Sequence, residues 1–311
     1  MSALISGSMA YDTIMVFQDH FKNHILPEQV HILNVSFLVP EMRRNFGGCA
    51  GNIAYNLQLL GGDGFPMATV GSDFAPYAAW MDEKGISRRG LRELSDEFTA
   101  QAFITTDQGD NQITAFHPGA MNQAHLNRVG DFQGASIGIV SPDGRQGMLE
   151  HATQFVEAGI PFVFDPGQGL PMFNGDELNR FAGQATWLAF NDYEAKLMEE
   201  RTGRSIEQLA KGVEAVIVTR GGEGSHIYTG GGRLEIPLAD AANLADPTGC
   251  GDAYRGGLLY GLMNGLDWEL TGRIASLMGA IKIEQQGPQN HSFSRSQFEA
   301  RFHEAFGMSL R

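Results

Sequence analysis

The sequence has few cysteines and no long apolar run, and these absences exclude several classes of protein. Its two cysteines, Cys49 and Cys250, form no C-x-x-C pair, so neither a disulfide framework nor a paired-cysteine zinc site is expected. No apolar run approaches the ~18 residues of a membrane-spanning helix, and no basic segment opens the chain. We therefore expect a cytoplasmic protein with no signal peptide and no membrane contact.

Positive charge is also scarce. The chain has 22 lysines and arginines against 36 aspartates and glutamates, which gives a net charge of −14. Such a surface repels phosphate backbones, so no nucleic-acid partner is expected. A small anionic ligand would need backbone N–H groups, a helix N-terminus or a metal ion at its site.

Three nucleotide-binding signatures are missing. The sequence contains no G-x-G-x-x-G fingerprint, no Gly-Lys dipeptide of a P-loop and no H-R-D catalytic loop. These absences argue against a Rossmann dinucleotide enzyme, a P-loop NTPase and a protein kinase. Glycine is abundant instead, with 40 residues in 311, about twice the usual share.

Short apolar runs alternate with amphipathic segments along one predicted domain, residues 1–311. The strand-like runs are Ala3–Ile5, Phe65–Val70, Ile137–Val140, Pro161–Phe164, Trp187–Phe190 and Ala215–Val218. The helix-like segments are Ala50–Leu60, Tyr77–Lys84, Gly147–Ala158, Asp192–Arg201 and Ile206–Ala210, followed by 251–263, 268–284 and 294–306. This alternation predicts a parallel sheet covered by helices on both faces.

Two segments, 12–46 and 96–118, break this rhythm with polar and β-type residues. They predict either a small antiparallel sheet that projects from the main domain or edge hairpins of the core. Sequence alone leaves both alternatives open.

The strongest functional signal is Asp246-Pro247-Thr248-Gly249-Cys250-Gly251-Asp252, a turn that runs into an apolar helical pattern. Its last glycines therefore lie at a helix N-terminus, where free N–H groups and the helix dipole favour an anion. A carboxylate base beside an anion hole suits phosphoryl transfer to an alcohol. An aspartate that merely caps the helix is the alternative.

A second glycine-rich turn, Gly47-Gly48-Cys49-Ala50-Gly51-Asn52, also precedes a predicted helix. Paired glycines let the backbone approach a ligand closely, and Asn52 offers both a donor and an acceptor. Together the two turns resemble the paired signatures of the ribokinase-like PfkB family of carbohydrate and nucleoside kinases, and the resemblance covers essentially the whole chain.

The resemblance implies a three-layer α/β/α sandwich with a mostly parallel sheet and a small β-sheet lid, residues 12–46 and 96–118. It implies ATP as co-substrate, Mg²⁺ as cofactor and a small sugar or nucleoside as acceptor. A homodimer formed through the lid is a further implication.

The resemblance also assigns roles to residues. Asp252 would be the catalytic base, and the N–H groups of Gly249, Cys250 and Gly251 would hold the developing charge. The residues implied in acceptor binding are Ser8, Asp12, Ser36, Gly48, Asn52, Phe103, Phe116 and Gln168. Those implied in ATP binding are Asn191, Thr219, Gly221, Gly224, Gly249 and Gly251.

Metal ions have implied positions too. Asn191 and Glu194 would order the water ligands of Mg²⁺, unless Glu194 simply opens a helix. Asp246 and Thr248 match the start of a K⁺ site. Arg255 is either close to the phosphates or a surface cation.

Four stretches, 21–39, 115–121, 165–168 and 191–194, are most similar to bacterial adenosine kinases. The implied reaction is transfer from ATP to the 5′-hydroxyl of adenosine, giving AMP. Asp12 and Asn52 would hold the ribose, Phe103 and Phe116 would sandwich the purine, and Gln168 would contact its edge. The alternatives are a ribose or fructose kinase, a kinase for another nucleoside, and an idle binding protein; lid packing is the alternative for the two phenylalanines.

Cys250 stands where the family often has alanine. Its position at a helix N-terminus predicts a thiol with a lowered pKa that reagents modify readily.

Overall fold

Thirteen strands and nine helices make up the fold among the residues that the computed structural model describes, 1–25, 31, 32, 34–109 and 111–310. The strands are β1 Ser2–Ser6, β2 Ala10–Val16, β3 Glu41–Gly47, β4 Asp63–Gly71, β5 Leu91–Leu94, β6 Ala100–Thr106, β7 Gln112–His117, β8 Ala135–Val140, β9 Phe162–Phe164, β10 Trp187–Asn191, β11 Ala215–Thr219, β12 Ser225–Thr229 and β13 Gly232–Ile236. The helices are α1 Cys49–Leu59, α2 Ala75–Lys84, α3 Arg145–Glu157, α4 Gly175–Gln184, α5 Asp192–Thr202, α6 Ile206–Ala210, α7 Cys250–Met263, α8 Trp268–Ile283 and α9 Arg295–Phe306.

Nine of the strands form one large sheet in the order β13-β12-β11-β10-β9-β8-β1-β4-β5. Seven of these strands run parallel, and only β12 and β13 join antiparallel at one edge. The carboxyl ends of β1, β8, β9, β10 and β11 therefore meet at one edge of the sheet, where ligands of such sheets usually bind.

Neighbouring side chains of one strand pack into hydrophobic cores on opposite faces of the large sheet. Helices cover both cores, so the molecule has three layers. In β1, Ala3 and Ile5 pack with residues of α1, α2 and α7 on one face. Leu4, between them, packs with residues of α3, α4, α5 and α6 on the other face. The large sheet is apolar on both faces for this reason, and the predicted sandwich is confirmed.

The other four strands form a separate small sheet in the order β3-β2-β6-β7. All four lie in or next to the two segments predicted for a lid, although 26–30, 33 and 110 fall outside the described residues. The expectation of a purely antiparallel sheet is wrong, because β2 pairs parallel with β6. The chain passes through β3, α1, β4, α2 and β5 between these two strands, so it returns in the same direction rather than as a hairpin.

Among the described residues, no helix combines the length and apolar character that crossing a membrane requires.

Helices α7 and α8 pack very closely, and glycine makes this possible. A Cβ added at Gly257 of α7 would lie 2.6 Å from the Cα of Ala275 in α8. A Cβ added at Gly183 of α4 would meet nothing within 4 Å. The same substitution should therefore have opposite effects at these two helical glycines.

We expect Gly257→Ala to destabilise the fold by ~1–3 kcal/mol, because the backbone of α8 must move. Gly183→Ala, the matched control, should stabilise the fold by ~0.5–1 kcal/mol, since alanine has the higher helix propensity. Urea unfolding of both variants measures these changes. Effects of the same sign would contradict the close approach of α7 and α8.

Candidate active site

The predicted site residues converge on the carboxyl edge of the large sheet. Ser8 follows β1, Asn191 ends β10 and Thr219 ends β11, next to Asn191 in the register of the two strands. The N-terminal part of α7 lies in the same region, since Arg255 of α7 bonds to Asp165, just after β9. Residues that are far apart in sequence therefore meet at one edge of the sheet.

The turn before α7 has the backbone geometry of a helix N-terminus. Gly249 is the N-cap residue, with φ at 83°, and a Cβ on it would lie 2.7 Å from Cβ of Pro288. The Cys250 N–H donates to the Pro247 carbonyl at 3.1 Å. A Cβ on Gly251 would meet nothing within 4 Å, so its backbone is open to a ligand, and glycine keeps it open.

Asp252 lies in the first turn of α7 and is half-buried. The Asn52 side chain donates from Nδ2 to Asp252 Oδ2 at 2.8 Å. Burial, with the charge of Asp165 adding to it, raises the pKa of Asp252 to about 7, although the Asn52 hydrogen bond opposes this shift. A carboxyl group with this pKa can accept a proton near neutral pH, as a general base must.

A buried polar network orients Asn52. Its Oδ1 accepts a hydrogen bond from Gln289 Nε2 at 2.9 Å. The same Nε2 donates to the Tyr77 hydroxyl at 2.6 Å, and Gln289 Oε1 accepts from Trp80 Nε1 at 3.0 Å. Because Gln289 fixes the acceptor end of the amide, the donor end of Asn52 is directed at Asp252.

Arg255 is not a surface cation. It is 4% exposed, and its Nε and Nη2 donate to Asp165 Oδ2 and Oδ1 at 3.1 and 2.9 Å. Arg255 follows Asp252 by one turn of α7, so its guanidinium lies close enough to influence Asp252 and Glu194. The fork geometry and burial make this a strong ion pair that joins the end of β9 to α7.

Asn191 and Glu194 form a capping box at the start of α5. Asn191 Oδ1 accepts from the Glu194 N–H at 2.7 Å, and Glu194 Oε2 accepts from the Asn191 N–H at 2.8 Å. Burial, assisted by the charge of Asp165, raises the pKa of Glu194. Glu194 thus does open a helix, as the alternative for this residue expected, and the role of Asn191 and Glu194 toward Mg²⁺ stays a prediction.

Asp12 lies in β2, at the centre of the small sheet. Register places Asn45, Asp12, Ala102 and Phe116 in one row, so their side chains share a face, which we call the Asp12 face. Burial and the charge of Asp246 raise the pKa of Asp12 to about 6. The Asp12 carboxylate therefore lies near the turn before α7.

The predicted pairing of Phe103 with Phe116 is wrong. Phe103 follows Ala102 in β6, and Phe116 is opposite Ala102 in β7. Because neighbouring residues of a strand point to opposite faces, Phe103 lies on the reverse of the Asp12 face. Only Phe116, 52% exposed, shares the face of Asp12, so the two rings do not sandwich one ligand.

The two glycine-rich turns meet through close backbone packing. Gly48 has φ at 84°, and a Cβ on it would lie 2.5 Å from the Ser8 carbonyl oxygen. Ser8 is buried, and its hydroxyl accepts from the Cys49 N–H at 3.1 Å. The Ser8 hydroxyl therefore satisfies a backbone N–H group at the start of α1, and its contact with the acceptor stays a prediction.

The remaining predicted residues are less closely grouped. Ser36 and Gln168 are exposed, the first in the irregular segment 34–40 and the second in a short 3₁₀ turn after β9. Gly221 is exposed with φ at 52° and open space around it, and its contact with ATP stays a prediction. Gly224 is buried, and a Cβ there would lie 2.2 Å from the Ile236 carbonyl oxygen. Glycine is therefore needed at this position for close packing of the chain before β12 against β13.

Sequence reasoning missed Lys282, which lies beneath the turn. Its Nζ donates to the backbone carbonyl of Asp246 at 2.7 Å. The Asp246 carboxylate accepts from the N–H groups of Thr248 at 2.9 Å and Gly287 at 2.8 Å. Although burial opposes it, these bonds lower the pKa of Asp246. The available signal was a lysine within the apolar run 277–283.

The predicted lowering of the Cys250 pKa is wrong. Burial raises the pKa of the thiol to about 11, and the neighbouring charge of Lys282 only partly offsets this. The helix N-terminus favours a thiolate, but the loss of solvation around the half-buried side chain is the larger effect.

No cluster of three or more His, Cys, Asp or Glu residues suited to metal binding occurs within the described ranges. A Mg²⁺ ion bound through phosphates and water would require few protein ligands. Glu194 and Asn191 fit such a group, because carboxylate and amide oxygens accept hydrogen bonds from metal-bound water.

The buried pair of Arg255 and Asp165 gives a direct prediction. Arg255→Met should destabilise the protein by ~3–5 kcal/mol, because it leaves a buried carboxylate without its partner. Adding Asp165→Asn to this variant should restore part of the loss, and a double-mutant cycle in urea measures the coupling. Simple additivity of the two single changes would contradict the ion pair.

Comparisons with known proteins agree with this geometry. The chain is 31% identical over 260 residues to a nucleoside kinase of Methanocaldococcus jannaschii, and the match covers 83% of this chain and 85% of the relative. The structure of the Burkholderia thailandensis nucleoside kinase in complex with inosine is similar with a TM-score of 0.90 at 53% identity, covering 99% of both chains. Its complex with ADP-inosine is similar with a TM-score of 0.88 at 55% identity, covering 99% of this chain and 97% of that one.

A family model described as pfkB family carbohydrate kinase matches residues 9–294. These residues include both glycine-rich turns, the capping box of α5 and the N-terminus of α7. The chain belongs to the pfkB family of carbohydrate kinases.

Proposed function

We propose that the protein transfers the γ-phosphoryl group of ATP to the 5′-hydroxyl of a purine nucleoside, with Asp252 as general base. The observation that carries this proposal is the Asp252 carboxylate in the first turn of α7, bonded to Asn52 beside an open glycine backbone. The base then acts on the nucleoside hydroxyl, and the anion-binding helix N-terminus acts on the phosphoryl group that is transferred.

The reaction needs little covalent help from the protein. Asp252 accepts the proton of the nucleoside hydroxyl as the oxygen attacks the γ-phosphorus and the bond to the ADP leaving group breaks. The backbone N–H of Gly251, at the positive end of the α7 dipole, stabilises the charge on the transferring group. The Cys250 N–H, which here bonds to the Pro247 carbonyl, would stabilise the same charge after exchanging that hydrogen bond for one to the phosphate.

When bound, Mg²⁺ would neutralise charge on the phosphates. Glu194 and Asn191 would hold it through water, since their hydrogen bonds with one another fix both groups at the start of α5. Thr219 neighbours Asn191 in the register of β10 and β11, which supports a contact of Thr219 with the same nucleotide.

The acceptor follows from a combination of features. Asn52 bonds to Asp252 and Asp12 lies near the turn before α7; both suit ribose hydroxyls, and a carboxylate with a diol forms charge-assisted hydrogen bonds. Phe116, exposed on the Asp12 face, offers a surface on which a purine can stack, an interaction of ~1–3 kcal/mol per base in nucleic-acid complexes. A free sugar has no base to use this surface.

Adenosine is one member of the proposed substrate class. The B. thailandensis enzyme, at 53% identity, was crystallised with inosine, which differs from adenosine at the purine edge. We therefore extend the adenosine expectation to purine nucleosides that share the 5′-hydroxymethyl ribose. A ribose or fructose kinase is the alternative, because the phosphate-handling half of the site would be the same.

We expect inosine and adenosine to be phosphorylated at the 5′ position with ATP and Mg²⁺, and ribose and fructose to react at least ~100-fold more slowly in kcat/KM. The reason is that the free sugars lack the base that stacks on Phe116. A coupled ADP-release assay gives the rates, and ³¹P NMR of the products locates the phosphate.

Phe116→Ala should lower kcat/KM for nucleosides by ~10-fold, and the matched change Phe103→Ala, on the reverse face, should leave it unchanged. Faster turnover of ribose or fructose than of either nucleoside would overturn the proposed acceptor while leaving the kinase chemistry intact.

A further inference from the structure

Lys282 is an unusual residue for the last turn of α8, because its side chain has no contact with solvent. Its relative exposure is 0%, the same as that of the core residue Leu258. Removing an ammonium group from water is costly unless hydrogen bonds and opposite charge replace the solvent. A lysine buried to this extent therefore requires a specific polar environment.

That environment is made of backbone carbonyls from two segments. Lys282 Nζ donates to the Asp246 carbonyl at 2.7 Å and to the Gln285 carbonyl at 3.0 Å. One belongs to the turn before α7 and the other to the residues just after α8. The ammonium thus ties the C-terminal end of α8, where the helix dipole favours a cation, to the turn that holds the anion site.

The surrounding contacts fix this arrangement. The Asp246 carboxylate is held by Thr248 and Gly287 N–H groups, and the backbone N–H groups of Ala245 and Asp246 donate to the Ile283 carbonyl at 2.8 and 3.1 Å. The Lys282 Cε lies 3.7 Å from the position of a Cβ on Gly249. The charged end of Lys282 is therefore next to the N-cap of α7.

Carbonyl oxygens that converge on one positive charge are also the ligands with which proteins hold potassium. An ammonium group carries the same charge and is held here by the same kind of ligand, but it is covalently attached and permanently present. A K⁺ ion bound to the Asp246 carbonyl would lie close to this ammonium group and be repelled by its charge. The expected K⁺ site at Asp246 and Thr248 is thus occupied at its carbonyl by a side chain.

We propose that the Lys282 ammonium is a built-in monovalent cation that positions the turn before α7, so that phosphoryl transfer needs no bound K⁺. The activity part of this inference rests on the proposed function. Lys282 is a positioning residue, because its Nζ bonds to the backbone of the turn and acts on the transferring phosphate through Gly249, Cys250 and Gly251.

Two variants separate charge from volume. Lys282→Ala removes the ammonium and leaves room for an ion among the carbonyls, whereas Lys282→Met fills the space with a neutral chain. The exposed Lys211→Met is the control for loss of a lysine elsewhere. Each protein is assayed with a purine nucleoside, ATP and Mg²⁺ in tetramethylammonium chloride and in potassium chloride at equal ionic strength.

We expect the wild type and Lys211→Met to have the same rate in both salts. Lys282→Ala should lose at least ~10-fold in kcat in tetramethylammonium, because the N–H groups of the turn are no longer fixed. K⁺ should restore much of that loss in Lys282→Ala and none of it in Lys282→Met. A wild type that K⁺ activates severalfold, or a Lys282→Ala variant that is fully active without K⁺, would overturn the inference.

A second readout does not depend on the acceptor. The Tm of Lys282→Ala should rise on exchanging tetramethylammonium for K⁺, since an ion that binds only the folded state stabilises it, while the Tm of the wild type should not respond. The Tm measurement tests the inference even if no nucleoside is phosphorylated. A lack of phosphorylation would refute only the proposed function. If Lys282→Ala folds only when K⁺ is present, the inference is supported. If the variant folds in neither salt and K⁺ activates or stabilises the wild type, the inference is contradicted.

Discussion

The active site depends on one constraint, which is that the carboxylate of Asp252 is partly removed from water at the positive end of α7. Burial raises its pKa to about 7, so the group can accept a proton near neutral pH, as the proposed general base must. Asn52 holds this carboxylate in place through a buried network. Arg255 forms an ion pair with Asp165 and so compensates the charge of that buried carboxylate. Lys282 bonds to the backbone of the turn before α7.

Much of the fold could be predicted from the sequence because the strands of the large sheet are buried on both faces. Runs such as Ile137–Val140 and Ala215–Val218 are continuously apolar, and they form β8 and β11. The strands β5 and β13 escaped prediction because their residues are mostly exposed or half-exposed. Helix α4 was overlooked although Asn174 and Glu177 form a capping box at its start, a signal that is readable from sequence.

The site was predictable where local geometry determines it. Gly48 and Gly249 have positive φ and close neighbours, and such positions require glycine. Long-range contacts were not predictable in the same way: the partner of Arg255 lies 90 residues away in sequence. The opposite placement of Phe103 and Phe116 needed the register of β6 with β7. The prediction for Cys250 was wrong because the helix dipole and the loss of solvation act in opposite directions on the thiol pKa, and the loss of solvation outweighs the dipole.

The pH dependence of nucleoside phosphorylation, measured as kcat/KM for the wild type beside Asp252→Asn, tests the role of Asp252 most directly. The wild-type value should rise ~10-fold per pH unit up to about 7 and then level off, since only the deprotonated carboxylate accepts the hydroxyl proton. Asp252→Asn should be slower by ~10²–10⁴-fold and lack this dependence. A variant within ~10-fold of the wild type, or a wild-type profile that is flat below pH ~7, would show that Asp252 is not the general base.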